Sequence, residues 1–277
     1  MQFEFPWALG PADGRYLVRD AAGVPPSHVL VLATLGAPER RRLRGRRARP
    51  VAPEPPPAPV TTGRATVIDA TPVTPAEAER WLAASGQPDA ERALAQVARA
   101  VAAHRIASAD PHVREPALGQ ELVVRAGYGA GEQVAEGRWS AARELPRDPV
   151  GRRRHVAALR PQERLAALLG GHADALACEE LTLRARADLE HGRVRAACLQ
   201  LRAALDAALA ELPREAARSD DMAGRIAELG ERRPAVERLV HAALDGALPA
   251  DAGETLDGTL GRLESALRAR IAATSRG

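Results

Sequence analysis

The sequence predicts an α+β fold, in which a small N-terminal β-sheet is followed by a larger all-α region of helical hairpins. Before residue 73 the apolar residues alternate in short runs, which is typical of strands. From residue 74 onward they recur at helical spacing. Ala and Leu dominate the apolar residues, alongside only three Trp, two Tyr and two Phe. Such a composition favours closely packed helices over a β-sandwich.

Four apolar runs predict the strands of the sheet, and residues 1–73 are predicted to form a small β-rich domain. The runs cover residues 2–8, 15–19, 28–35 and 63–70. Asp13-Gly14 separates the first two runs, and this pair tolerates the positive φ that a tight hairpin turn needs. The third run is the most continuously apolar, so we expect its strand to be more buried than the first two.

An insertion at residues 38–59 interrupts the predicted sheet. It contains seven arginines and then a stretch in which six of ten residues are proline, so we expect a disordered, extended loop. The arginines are candidate contacts for an anion or a nucleic acid. Nucleic-acid binding is not favoured, because no aromatic residue is interleaved with them. They are Arg40, Arg41, Arg42, Arg44, Arg46, Arg47 and Arg49.

Residues 74–147 and 155–277 are predicted to form two helical regions. Thr74 and Glu77 make a capping box with Pro75 at the first helical position, which marks the start of the first helix. A glycine-rich break at residues 127–131 separates two further predicted helices. The predicted helices after the first cover residues 88–106, 118–126, 132–145, 161–169, 172–190 and 193–212, then two short segments between 220 and 247, and a last helix that begins after Asp251.

The motif Gly-Arg-x-x-Ala-Ala occurs at residues 137–142 and again at residues 192–197. In both places it resembles the middle of a tetratricopeptide (TPR) hairpin, in which glycine closes the first helix and alanine lets the second helix approach closely. The resemblance implies TPR-like hairpins around Gly137 and Gly192, and it makes Ala197 a packing position. The two copies lie further apart than the repeats of a tandem array.

Arg186 and His191 have the Arg-x4-His spacing of HEPN-type ribonucleases, which the chain resembles in this feature. In that family the pair acts on an RNA phosphodiester, since histidine can serve as a general acid or base and arginine can stabilise phosphorane charge. The other interpretation is a solvated helix end, with His191 near the negative end of the helix dipole. Arg186 and His191 are therefore candidate catalytic residues only for an alternative, RNA-directed function.

No cofactor or metal site is predicted. The glycines of residues 127–131 lack the last glycine of the dinucleotide fingerprint, and the chain has no lysine for a Walker loop. Zinc-ligand spacings such as CxxC and HExxH do not occur in the sequence. Cys178 and Cys198 are predicted to be unbridged core thiols, because the register of a hairpin around Gly192 sets them too far apart for a disulfide.

These features favour a non-catalytic scaffold or adaptor that presents helical surfaces to another protein. The N-terminus lacks the basic and apolar regions of a signal peptide, and no run approaches the roughly 18 apolar residues of a membrane span, so we expect a cytoplasmic protein. All 39 basic residues are arginine, a bias that favours a bacterial, high-GC origin. The main alternative is an RNA-directed helical domain, either a HEPN-like ribonuclease or a nucleic-acid binder through the arginine-rich insertion.

Limited trypsin digestion of the native chain is expected to cut first between Arg40 and Arg49. Proline and like charges should keep this segment extended and accessible to the protease. Mass spectrometry of the earliest fragments checks the prediction. Protection of this window while other sites are cut would contradict it.

Overall fold

The computed structural model describes residues 1–36, 60–146, 161–216 and 220–274. The chain divides into two compact units, Met1–Pro149 and Val150–Gly277. The first unit holds a β-sheet with helices and the second is helical, which confirms the predicted α+β fold. The insertion at residues 38–59, with its seven arginines, lies outside the described residues.

The sheet of the first unit has six strands in the order β2-β3-β4-β1-β5-β6, and every neighbouring pair is antiparallel. The first four strands lie close to their predicted bounds. β1 occupies a central position, because it pairs with β4 on one side and with β5 on the other. The strands are β1 (Gln2–Phe5), β2 (Gly14–Val18), β3 (His28–Leu35), β4 (Thr62–Asp69), β5 (Val123–Tyr128) and β6 (Ala141–Glu144).

The predicted helices at residues 118–126 and 132–145 are wrong, and residues 74–147 are not a separate helical region. Strands β5 and β6 lie within this stretch and complete the sheet. The TPR-like hairpin around Gly137 is wrong for the same reason, since Gly137 ends a short 3₁₀ helix, Gly131–Glu136, and leads towards β6. Pairing of β5 with β1 satisfies backbone groups along both strands, and this outweighs a weak local helical spacing.

The first unit also contains two α-helices, α1 (Pro75–Ala84) and α2 (Gln87–Ser108), which follow β4 in the chain. The capping box at the start of α1 is confirmed, since Thr74 Oγ1 accepts from the Glu77 backbone N–H and Glu77 Oε2 accepts from the Thr74 N–H. Helix α2 buries its apolar stripe against one face of the sheet. The core between them includes Phe3, Phe5, Leu30, Leu32, Ala65, Val67, Leu94, Val97, Val101 and Val124.

The opposite face of the sheet is polar at its centre. Gln2 and Thr66 are both buried there, and Gln2 Nε2 donates to Thr66 Oγ1 at 3.1 Å. Gly137 lies directly over Gln2, because a Cβ at this position would come within 2.7 Å of Gln2 Nε2. Gly137 also has a φ of +74°, so the backbone conformation at this position favours glycine.

The second unit contains an antiparallel four-helix bundle made of α4, α5, α7 and α8, which contact one another in that cyclic order. Ion pairs between helices show the antiparallel directions, for example Arg202–Glu237 and Arg233–Asp206 across α5 and α7. The core is almost entirely Leu and Ala, which lets the helices pack closely. The helices of this unit are α3 (Pro161–Leu169), α4 (Ala177–Glu190), α5 (Val194–Glu211), α6 (Pro213–Ala216), α7 (Asp220–Leu244) and α8 (Ala252–Thr274).

Two predictions for this unit are wrong in detail. The segment predicted as two short helices between 220 and 247 is the single helix α7, which continues through Pro234. Proline removes one hydrogen bond from the helix, but Leu229 and Val236 on either side of it are both buried in the bundle core. The other helix, predicted from residue 172, begins only at Ala177. In the described part of the chain, no helix is both long and apolar enough to span a bilayer.

The hairpin predicted around Gly192 is present, and α4 and α5 pack against each other along it. Ala197 is fully buried, as are Cys178 and Cys198, which form no disulfide. Membership of the TPR family stays a prediction, because a single hairpin of this kind does not define a repeat.

Ala197→Leu is expected to lower the free energy of unfolding by about 1–3 kcal/mol, because it inserts bulk into a fully packed helix contact. Arg195→Leu is the matched control, since Arg195 is exposed on the same helix, and its effect should stay within about ±0.5 kcal/mol. Urea titrations of both variants measure the difference. Equal stability of Ala197→Leu and the unsubstituted chain would show that this contact is looser than the structure indicates.

Candidate functional site

The turn between α4 and α5 forms a short, well-defined corner on the second unit. The backbone N–H groups of His191, Gly192 and Arg193 donate to the carbonyls of Ala187, Leu189 and Asp188 respectively. Gly192 has a φ of +71°, and a Cβ there would meet nothing within 4 Å. Glycine is therefore needed at this position for its backbone conformation, and the space outside the turn is open.

A shallow, open depression, called the groove below, begins at this turn and follows the first turns of α5. Its floor is apolar, because Val194, Ala196 and Leu199 contribute side chains to it. Leu199 is 40% exposed, whereas the other leucines of this helix pack against the core. The lining residues are Gly192, Arg193, Val194, Arg195, Ala196 and Leu199.

Two arginines give the groove a positive charge, and no acidic residue lines it. Arg193 is compensated, since its Nε donates to Asp188 Oδ1 at 2.7 Å. Arg195 is exposed and makes no hydrogen bond or ion pair within the described ranges. The surface thus combines an exposed leucine with a guanidinium that has no acidic partner among the described residues.

The structure places Arg186 at the contact between α4 and α8. Its guanidinium donates hydrogen bonds to two carboxylates of α8. Its Nε bonds Glu264 Oε1 at 2.7 Å and its NH1 bonds Asp257 Oδ1 at 2.5 Å. Arg186 therefore has a complete structural role in the bundle. The expected catalytic partner, His191, lies at the end of the same helix.

His191 bonds back to its own helix, with Nδ1 lying 2.6 Å from the carbonyl oxygen of Ala187. Five residues of α-helix correspond to about 140° of rotation, so Arg186 and His191 point to different sides of α4. The structure does not bring the two candidate catalytic residues to one surface. The other candidate residues, the seven arginines from Arg40 to Arg49, lie outside the described part of the chain.

A polar cluster on the sheet was not predicted from the sequence. Glu4 Oε1 accepts from Arg64 Nε and NH2 at 3.1 and 2.9 Å and from Arg125 NH1 at 3.0 Å. Burial by itself raises the pKa of Glu4, but the hydrogen bonds and charges of the two arginines outweigh it, so the pKa lies below its usual value. Alternation of Gln2 and Glu4 with Phe3 and Phe5 is the signal that could have located this cluster.

The thiol of Cys178 lies next to the carboxylate of Glu211, and its environment suppresses its reactivity. Burial, followed by the hydrogen bond and charge of Glu211, raises the pKa of the Cys178 thiol to about 12. Glu211 is held in place by the backbone N–H groups of Ala177 and Cys178 at the start of α4. A nucleophilic cysteine needs the opposite shift, so this thiol is a packing group.

No family model matches the chain, and comparisons with characterised proteins and with solved structures give no significant match. Among the residues that the structure describes, no group of three or more His, Cys, Asp or Glu is arranged to hold a metal ion. Any functional inference therefore depends on the geometry of this chain.

Alkylation of Cys178 by iodoacetamide is expected to be slow in the native protein between pH 7 and 10. The fully buried sulfur is inaccessible to the reagent, and the raised pKa of the thiol keeps the thiolate fraction low. Peptide mapping by mass spectrometry separates Cys178 from Cys198, and the urea-unfolded chain supplies the reference rate. Rapid native labelling with a plateau near pH 8 would contradict the buried thiol.

Proposed function

We propose that this chain is a cytoplasmic, non-catalytic adaptor, and that it binds another protein at the groove beside the α4–α5 turn. The observation that carries the proposal is Leu199, a half-exposed leucine on the floor of an open groove. Apolar side chains exposed in concave surfaces with a charged rim are typical of protein interaction sites. A rigid helical hairpin supports such a site, because α4 and α5 are fixed on their inner faces by the bundle core.

Charge complementarity identifies the kind of partner. Arg195 has no carboxylate partner within the described residues, and no acidic side chain lines the groove. The occupant is therefore an acidic segment of another protein that carries an apolar side chain for the floor. The apolar contact supplies affinity, whereas the rim charge steers association and specificity.

The RNA-cleaving alternative receives less support from the same unit. It requires Arg186 to reach a phosphodiester, but the side chain is already bound to Asp257 and Glu264. Releasing it would leave two carboxylates on α8 without this cation. Arg186 makes an interhelical contact, which argues against a catalytic role for this side chain.

Selection of a displayed random-peptide library against the full chain tests the proposal. We expect enriched peptides to contain an apolar residue flanked by Asp or Glu. Leu199→Glu and Arg195→Glu should each weaken their binding at least about tenfold, since each places a negative charge at the groove; tenfold corresponds to about 1.4 kcal/mol. Leu183→Glu is the matched control, because Leu183 is 67% exposed on α4 and does not line the groove.

Selected peptides that lack acidic residues, or whose binding is unchanged in Leu199→Glu and Arg195→Glu, would refute the site. The absorbance ratio of the purified protein and a ribonuclease assay address the alternative. RNA cleavage by the unsubstituted chain that is lost in His191→Ala would replace the adaptor proposal with the catalytic one.

A further inference from the structure

The two outer strands of the sheet, β2 and β6, differ in how their edges are protected. Natural sheets block unwanted pairing with charges, proline or covering elements. β6 carries two adjacent charges, Arg143 and Glu144. Arg143 also binds the carbonyls of Leu82 and Ser85 at the end of α1, so this edge is tied to a helix.

The β2 edge has little of this protection. Its five residues, Gly14–Val18, contain one charge and no proline. That charge is compensated, since Arg15 NH1 lies 2.7 Å from Glu132 Oε1. Tyr16 is 37% exposed and Leu17 is 63% exposed. An exposed, mostly apolar edge strand is a ready template for another strand.

Leu17 also belongs to a partly exposed apolar strip on the polar face of the sheet. The register aligns Leu17 with Val29 on β3 and then with Ile68 on β4. Val29 and Ile68 are each only half-buried. A strand added beside β2 would cover Leu17.

We propose that two copies of this chain associate through β2, which pairs antiparallel with β2 of the second copy and joins the two sheets. The pairing is centred on Tyr16, so that each Tyr16 faces its counterpart across the two-fold axis. A two-fold interface of this kind is self-complementary by symmetry.

Charge complementarity favours a second copy over an unrelated strand. In an antiparallel pairing centred on Tyr16, Asp13 of one copy lies opposite Arg19 of the other, at both ends of the interface. Arg19 is exposed, and its side chain makes no hydrogen bond or ion pair within the described ranges. Asp13 is fixed in position by accepting from the Thr34 N–H at 2.9 Å and from Thr34 Oγ1 at 2.8 Å. The edge thus carries opposite charges at matching positions on either side of Tyr16.

Sedimentation velocity of the full chain over a range of concentrations tests the association. We expect a monomer–dimer equilibrium, with Leu17→Lys raising the dissociation constant at least about tenfold, or about 1.4 kcal/mol. Leu183→Lys is the matched control, since it charges an equally exposed leucine in the other unit, and it should leave the equilibrium unchanged. Thermal melts confirm that both variants fold.

Tyr16→Cys tests the register. Residues directly opposite in an antiparallel pair have Cα atoms about 4.5–5.5 Å apart, within the range of a disulfide, so mild oxidation should link two copies. A monomer at every concentration overturns the proposal, and so does a dimer that resists Leu17→Lys or fails to cross-link through Tyr16→Cys. Peptide binding at the α4–α5 groove is independent of β2, and it should be unchanged in Leu17→Lys.

Discussion

The position of β1 between β4 and β5 is the constraint on which the first unit depends. Glu4 shows it most directly, because one carboxylate oxygen binds arginines that are 60 and 121 residues away along the chain. On the opposite face, Phe3 and Phe5 form the centre of the core under α2. A central strand has to satisfy both edges and both faces at once. Phe3 and Phe5 fill the core on one face of β1, while Gln2 and Glu4 make hydrogen bonds on the other face. Pairing with β4 and β5 satisfies the backbone hydrogen-bonding groups at both edges.

In the second unit, arginine forms ion pairs between neighbouring helices of the bundle. Its core of Leu and Ala supplies the burial that stabilises the bundle, whereas most of its ion pairs are partly exposed and contribute little individually. Arginine pairs such as Arg202–Glu237 and Arg262–Glu228 instead favour one register between neighbouring helices. Like Arg214 and Arg238, Arg195 is exposed and has no carboxylate partner among the described residues, but Arg195 lines the groove. Its position beside Leu199 is the basis of the proposed contact site.

Part of the candidate site could be predicted from the sequence. Gly192 marked the turn, and the apolar stripe of α5 placed Ala197 and Cys198 inside the bundle. Helical spacing places Leu199 about 160° from the buried Leu201 and so off this stripe. The groove itself could not be predicted, because it depends on the three-dimensional shape of the turn and the start of α5. The same limit applies to Arg186, whose two carboxylate partners lie on α8, more than 70 residues further along the chain. Spacing to His191 suggested a catalytic pair, but contacts with a distant helix determine what this arginine does.

The sequence by itself determined the features that depend on neighbours a few residues away. The first four strands, the capping box at Thr74 and the turn at Gly192 are of this kind, since alternation, side-chain caps and positive φ act locally. Only the tertiary structure decided that residues 123–128 form a strand, because that strand needs β1 as its partner. It also decided that α7 continues through Pro234, since burial of Leu229 and Val236 outweighs one lost hydrogen bond. Long-range strand pairing and core burial contribute more to the free energy of folding than local propensity does. They therefore determine the structure where the two disagree.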